Sequence, residues 1–123
     1  MLFSHRLAIF RTLFWCALIG ATVLAIMPHP PELPTDAFGD KVNHILAFSV
    51  MAFLAAFGWP RAPRLRTVER LSFLGALIEV VQSIPALHRD CDIRDWIADT
   101  LAVILVTLIA TWLTRRTTPD PGQ

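Results

Sequence analysis

Apolar residues along the chain fall into four long blocks, and most formal charges lie between these blocks. The blocks cover about residues 7–27, 42–59, 68–87 and 93–113. A bilayer core about 30 Å thick requires roughly 17–25 helical residues, and each block has about that length. Backbone polar groups must be paired in hydrocarbon, and the blocks exceed barrel strands of roughly 10 residues. The pattern therefore predicts an all-α membrane protein, a bundle of four transmembrane helices.

The connectors between the blocks differ in composition. Residues 28–41 are proline-rich, residues 59–70 carry four arginines, and residues 88–92 predict a tight turn. We predict a single four-helix transmembrane domain over residues 1–116 and a disordered tail over residues 117–123. The first block, with Arg6 and Arg11, could alternatively be a signal peptide. No small-x-small cleavage pattern precedes Pro28, so we expect the first helix to be retained.

The basic residues are distributed unequally between the two predicted sides of the membrane. Of 11 Lys and Arg residues, eight fall on one side and three on the other. The basic-rich side has Arg6, Arg11, Arg61, Arg64, Arg66, Arg70, Arg115 and Arg116, and the other side has Lys41, Arg89 and Arg94. Because basic residues accumulate in cytoplasmic loops, we predict that both termini are cytoplasmic.

Composition agrees with a membrane protein. Hydrophobic residues make up 54% of the chain and charged residues 17%, where soluble domains usually have about 25% charged residues. The net charge of +1 gives no general attraction to nucleic acid, and the expected environment is the lipid bilayer. Cys16 lies within the first apolar block and Cys91 in a loop, so we predict no disulfide.

Several polar residues nevertheless lie within the predicted helices. An ionised carboxylate in mid-bilayer costs at least ~2.5–3.5 kcal/mol, so such residues usually face a bundle interior or a wet cavity. Spacings of three and four residues place Asp92, Asp95 and Asp99 on one helix face. The same spacing rule groups Glu79 with Gln82, and Asp40 with His44. The sequence predicts one polar pocket in the outer half of the membrane, formed by Asp40, Lys41, His44, Glu79, Gln82, Arg89, Asp92, Asp95 and Asp99.

Each of these residues also has a purely structural interpretation. Asp40 and Asp92 occupy positions where helix N-caps belong. Gln82 could join two helices by a hydrogen bond, and a glycine such as Gly75 could allow close helix packing. Lys41 and Arg89 could lie among lipid headgroups. Glu79 and Asp99 are far from the predicted helix ends and could be protonated structural carboxyls. Because the two lie at similar depth on adjacent helices, we predict that this pair holds either a shared proton or a bound cation.

The order and spacing of these residues resemble the VanZ-like family of small bacterial membrane proteins. The matching positions are Asp40, Lys41 and His44, then Gly75, Glu79 and Gln82, then Arg89, Asp95 and Asp99. The family pattern usually has Asn and Gly where this chain has Asp99 and Ala102. The resemblance implies the bacterial cytoplasmic membrane and a link to low-level resistance to the glycopeptide teicoplanin. It does not imply a defined molecular activity.

Three functions are compatible with the pattern. The first is a non-enzymatic protein of cell-envelope physiology, whose pocket binds a lipid headgroup or an envelope precursor. The second is a membrane enzyme acting on a lipid-linked substrate. His44, Glu79, Asp95 and Asp99 would then be acid–base groups or ligands of a divalent cation. The third is a proton- or cation-coupled transporter, which at four helices would have to be a homo-oligomer. No cofactor is expected beyond such a cation.

Overall fold

The computed structural model describes residues 1–117, and these residues form four α-helices with no strand. The helices are α1 (Leu2–Ile26), α2 (Asp40–Gly58), α3 (Arg64–Gln82) and α4 (Ile93–Thr117). Two short 3₁₀ helices, Pro34–Phe38 and Pro85–Leu87, lie in the connectors before α2 and α4. The predicted all-helical architecture is therefore confirmed for this part of the chain.

Three of the four helices are long and apolar enough to cross a membrane. They are α1, α2 and α4, with candidate spans Phe3–Ile26, Asp40–Gly58 and Ile93–Arg116. Helix α3 is not among them, because Arg64, Arg66, Glu69 and Arg70 occupy its first two turns. Its uncharged stretch begins only at Leu71 and meets Glu79 about two turns later. The structure thus supports a membrane protein with three candidate spans.

The observed helix ends differ from the predicted ones, most of all in α3. This helix was predicted to reach residue 87 but ends at Gln82. The reason is Pro85, which disfavours helical backbone at the preceding residue, Ile84. Helix α4 continues to Thr117 instead of ending near residue 113. The predicted disordered tail lies outside the described residues, except for Thr117, which is helical.

Helix α2 is the centre of the packing. It packs most extensively against α4 and α1, while the main neighbour of α3 is α4. Phe48, Met51 and Ala52 of α2 are buried together with Val103 of α4. Consecutive helices run in opposite directions: Arg11 in the first half of α1 bonds Gly58 at the end of α2, and Arg64 at the start of α3 bonds Ala56. This arrangement brings the start of α2, the end of α3 and the start of α4 to one end of the bundle.

Large apolar side chains cover much of the molecular surface. On α1, Phe3, Ile9 and Trp15 are exposed, and on α4 Leu101 and Leu108 are exposed. Soluble monomers rarely present apolar patches larger than a few hundred Å², whereas such a surface suits contact with lipid. The exposed surface therefore agrees with the spans assigned to α1 and α4.

Candidate functional site: a buried histidine–carboxylate cluster

The site begins at the first turns of α2. Gly39 precedes the helix with φ of 93°, a conformation that favours glycine, and the helix starts at Asp40. His44 follows one turn later and is buried. Its Nδ1 lies 3.2 Å from Oδ2 of Asp99, and its Nε2 lies 3.9 Å from Oδ2 of Asp40. The imidazole therefore connects a buried carboxyl of α4 with an exposed carboxyl of α2.

Two ion pairs surround this histidine. Arg89 Nη2 lies 3.4 Å from Asp40 Oδ2, and Lys41 Nζ lies 3.4 Å from Asp95 Oδ1. Asp95 is almost buried, whereas the Lys41 side chain is about half exposed. The structure thus brings five of the predicted residues together with His44, namely Asp40, Lys41, Arg89, Asp95 and Asp99.

Glu79 is bound differently from the prediction, which joined it to Asp99. Its Oε2 accepts a hydrogen bond from the backbone N–H of Asp92 at 3.0 Å. The Cys91 side chain lies close to the same carboxyl. Glu79 therefore fastens the loop before α4, while Asp99 bonds His44. The predicted sharing of a proton or cation between the two carboxyls stays a prediction.

The side chain of Cys91 lies next to Glu79, a placement that the sequence did not indicate. Its side chain is exposed and free of any disulfide. Partial desolvation, the interaction with Glu79 and the nearby carboxylates of Asp92 and Asp95 raise the pKa of the Cys91 thiol. The thiol is therefore less ionised at neutral pH than an ordinary cysteine.

Gln82, Asp92 and Gly75 have structural contacts. Gln82 Nε2 donates to the backbone carbonyl of Ala25 at 2.9 Å and so joins α3 to α1. Asp92 Oδ1 accepts the backbone N–H of Arg94 at 2.9 Å, which is the contact of a helix cap. A Cβ atom at Gly75 would lie 3.3 Å from Cδ1 of Trp96, so this glycine permits close approach of α3 and α4.

Polar residues just before α2 and in its first turn also belong to the site, although the spacing pattern did not group them with it. Asn43 Nδ2 donates to Asp36 Oδ1 at 2.6 Å, and the hydroxyl of Thr35 donates to the side-chain oxygen of Asn43. Asp36 also accepts the backbone N–H of Leu33 at 2.6 Å. The sequence signal for these contacts was the Pro-Thr-Asp segment centred eight residues before Asn43. That this segment folds back onto α2 depends on tertiary contacts, which the sequence alone does not show.

A cavity of about 360 Å³ opens beside His44, between α1 and α2. Small and apolar residues of α1 form one wall, among them Ala17, Gly20 and Leu24. The polar end of the cavity is lined by Asp36, Asp40, Asn43, His44 and Arg89. The cavity is thus amphipathic, with charged and hydrogen-bonding groups at one end only.

Two buried carboxyl oxygens, Oε1 of Glu79 and Oδ1 of Asp99, have no hydrogen-bond partner in the described part of the chain. The predicted metal ligands were His44, Glu79, Asp95 and Asp99. Within residues 1–117, no group of three or more His, Cys, Asp or Glu side chains is spaced to hold a metal ion. The geometry of the described site therefore gives the predicted divalent cation no ready set of protein ligands.

Comparison of the chain with family models, curated proteins and solved structures finds no match.

Proposed function

We propose that this chain is a VanZ-like, four-span protein of the bacterial cytoplasmic membrane that binds a phosphate-bearing membrane lipid or lipid-linked envelope precursor. The amphipathic cavity beside His44 is the observation that carries the proposal. Its apolar wall on α1 suits a hydrocarbon chain, and its polar end suits a headgroup. A role in envelope physiology, including glycopeptide susceptibility, would follow from sequestering or presenting such a lipid.

Arg89 is the group best suited to hold the phosphate. Its side chain is mostly buried, lines the cavity and pairs with the exposed Asp40. A guanidinium forms paired hydrogen bonds with phosphate, and a bound phosphate would compete with the Asp40 carboxylate for it. Asp36 and Asn43 would then face the remaining polar part of the headgroup.

The lipid proposal is tested by binding to purified protein in neutral detergent. The probes are a polyprenyl phosphate and phosphatidylethanolamine, with diacylglycerol as the ligand that lacks phosphate. Arg89→Gln should weaken binding of the phosphate lipids at least about tenfold, because a hydrogen bond to a charged group contributes about 1.5–3 kcal/mol. The matched control is Arg94→Gln, since Arg94 is exposed and does not line the cavity.

A second variant tests the apolar part of the same cavity. A Cβ atom at Gly20 would meet nothing within 4 Å, so Gly20→Leu should fill the cavity without disturbing the fold. It should reduce binding of every lipid probe, whereas Ile19→Leu on the exposed face of α1 should not. Equal binding by wild type, Gly20→Leu and Arg89→Gln would refute the proposal.

An enzyme is the second candidate, and the His44–Asp99 contact favours it. A carboxylate at Nδ1 orients an imidazole so that Nε2 can accept a proton, and His44 also lines the cavity. The substrate would be a lipid-linked phosphate held by Arg89. Time-dependent conversion of the bound polyprenyl phosphate or phospholipid by wild type, and its loss in His44→Gln, would establish this function in place of binding alone.

A further inference from the structure

A second cavity of about 350 Å³ lies towards the opposite end of the bundle, between α1, α2 and α3. It shares no lining residue with the cavity beside His44. Its walls are aromatic and aliphatic, with Trp15 and Leu18 from α1, Trp59 after α2, and Leu74 from α3. Its volume lies at the lower end of the range of about 300–1,000 Å³ for ligand pockets.

The aromatic wall of this cavity is held in place by ring contacts. Trp59 meets Phe14 at 5.2 Å and Trp15 at 6.4 Å between ring centroids, both edge-on. The guanidinium of Arg11 lies 5.5 Å from the Trp59 ring centroid and donates through Nε to the Gly58 carbonyl at 2.8 Å. Tryptophans are enriched at membrane–water interfaces, so the position of Trp59 directly after the end of α2 agrees with headgroup level.

Arg70 is the charged residue that lines this cavity. It is exposed and has no hydrogen-bond or ionic partner within residues 1–117. The neighbouring Arg64 is engaged, because its Nη1 donates to the Ala56 carbonyl at 3.0 Å. In the described chain, Glu69 is the one acidic residue among the arginines at this end of the bundle. The cavity therefore combines an apolar interior with an uncompensated cation in a basic region.

We propose that this second cavity binds one anionic glycerophospholipid from the leaflet bordering the basic end of the bundle. Arg70 binds the phosphate, and the first part of an acyl chain lies between Trp15, Trp59 and Leu74. Basic residues at a membrane surface attract anionic lipids, and the guanidinium adds directed hydrogen bonds to phosphate. The apolar walls distinguish this site from one for free phosphate, which would leave most of the cavity unfilled.

Quenching of tryptophan fluorescence by bromine-labelled lipid tests the site. The background variant carries Trp96→Phe and Trp112→Phe and leaves Trp15 and Trp59, both of which line the cavity. Nanodiscs of phosphatidylcholine with a small fraction of acyl-brominated phosphatidylglycerol should quench this fluorescence at least about twofold more than the same fraction of brominated phosphatidylcholine. Circular dichroism checks that each variant is folded.

The matched pair of variants is Arg70→Gln and Arg66→Gln. Both remove one exposed charge from α3, but only Arg70 lines the cavity. Arg70→Gln should abolish the preference for phosphatidylglycerol, while Arg66→Gln and Arg70→Lys retain it and inorganic phosphate fails to compete. Equal quenching by both lipids, equal losses in the two Gln variants, or competition by inorganic phosphate would overturn the proposal.

Discussion

At the residue scale, the contact between His44 and Asp99 joins two buried polar side chains. Asp99 is 1% exposed and His44 7% exposed, and they come from helices α4 and α2. A buried polar group that loses its partner costs more than the intact contact contributes. The pair therefore adds to the packing of α2 on α4 only while both side chains can hydrogen-bond.

Asp99→Asn should be tolerated, and Asp99→Leu should not. The Asn side chain retains an oxygen that accepts a hydrogen bond from His44 Nδ1–H, whereas Leu leaves the imidazole unpaired. We expect Asp99→Leu to lower the free energy of unfolding by about 1–3 kcal/mol relative to Asp99→Asn. Unfolding in mixed micelles measures the difference, with Leu101→Ala on the exposed face of α4 as the control. Similar stabilities of the Asn and Leu variants would show that the contact contributes little.

The raised pKa of Cys91 predicts slow alkylation at neutral pH. Only the thiolate reacts with maleimide, so raising the pKa reduces the reactive fraction, which recovers as pH rises. Glu79→Gln removes the carboxylate beside the thiol and should lower that pKa, making alkylation faster at pH 8. The reaction is measured in a Cys16→Ser background, against Asp90→Asn as the charge control. An unchanged alkylation rate in Glu79→Gln would show that Glu79 does not raise the pKa of the Cys91 thiol.

At the element scale, the packing of α3 on α4 depends on a glycine. A Cβ atom at Gly75 would lie 3.3 Å from Trp96 and 3.5 Å from Phe48. Trp96 is itself fixed, because its Nε1 donates to the Ser72 carbonyl at 2.9 Å, and Ser72 also pairs with Thr100. The side chains that a larger residue would displace are therefore already committed to this interface.

Gly75→Val should destabilise the bundle by about 1–3 kcal/mol, the usual cost of overpacking a close contact. Gly75→Ala should be milder, since only the Cβ must be accommodated. Gly20→Ala is the matched control: it meets nothing within 4 Å and should be neutral or stabilising, because Ala favours helix over Gly by about 1 kcal/mol. Mixed-micelle unfolding gives all three values. Wild-type stability of Gly75→Val would mean that α3 and α4 separate easily.

The sequence predicted the elements better than their contacts. Blocks of apolar residues were sufficient for α1, α2 and α4, because each has about the roughly 17–25 residues that a span of the bilayer core requires. The predicted end of α3 was wrong, because Pro85 disfavours helical backbone at the residue before it. Helical spacing correctly grouped Asp95 with Asp99, both of which are buried. It could not show that Gln82 bonds α1 and Glu79 bonds the following loop, since those partners depend on how the helices are rotated and packed.

At the scale of the whole molecule, the two ends of the bundle differ in charge. Arginines of α1, α3 and the last turn of α4 collect at one end, while most acidic residues collect near the start of α2 and α4. The acidic end has three cations of its own: Lys41 and Arg89 are paired with Asp95 and Asp40, and Arg94 is exposed. This polarity supports the proposed orientation, in which the basic end faces the cytoplasm.

The topology depends on α3. Its 19 residues extend about 28 Å at 1.5 Å per residue, close to the bilayer core, but its first turns carry four charged residues. If those turns lie at the cytoplasmic headgroups, the apolar remainder and the segment 83–87 reach the outer interface. We then expect four spans, with both termini in the cytoplasm and Cys91 outside. If α3 instead stays on one side, the loops at residues 59–63 and 88–92 share that side, and the contacts of Arg89 with Asp40 and of Lys41 with Asp95 cannot form.

Labelling of intact cells decides between these two topologies. In a Cys16→Ser background, membrane-impermeant maleimide should label Cys91 without lysis, at a pH high enough to ionise the thiol. A single cysteine introduced by Ala62→Cys, with Cys91→Ser, should be labelled only after lysis. Reporter fusions after residue 117 should read cytoplasmic. Labelling of both cysteines on the same side would show that α3 does not span, and would place the C-terminal end of α4 opposite to the proposed side.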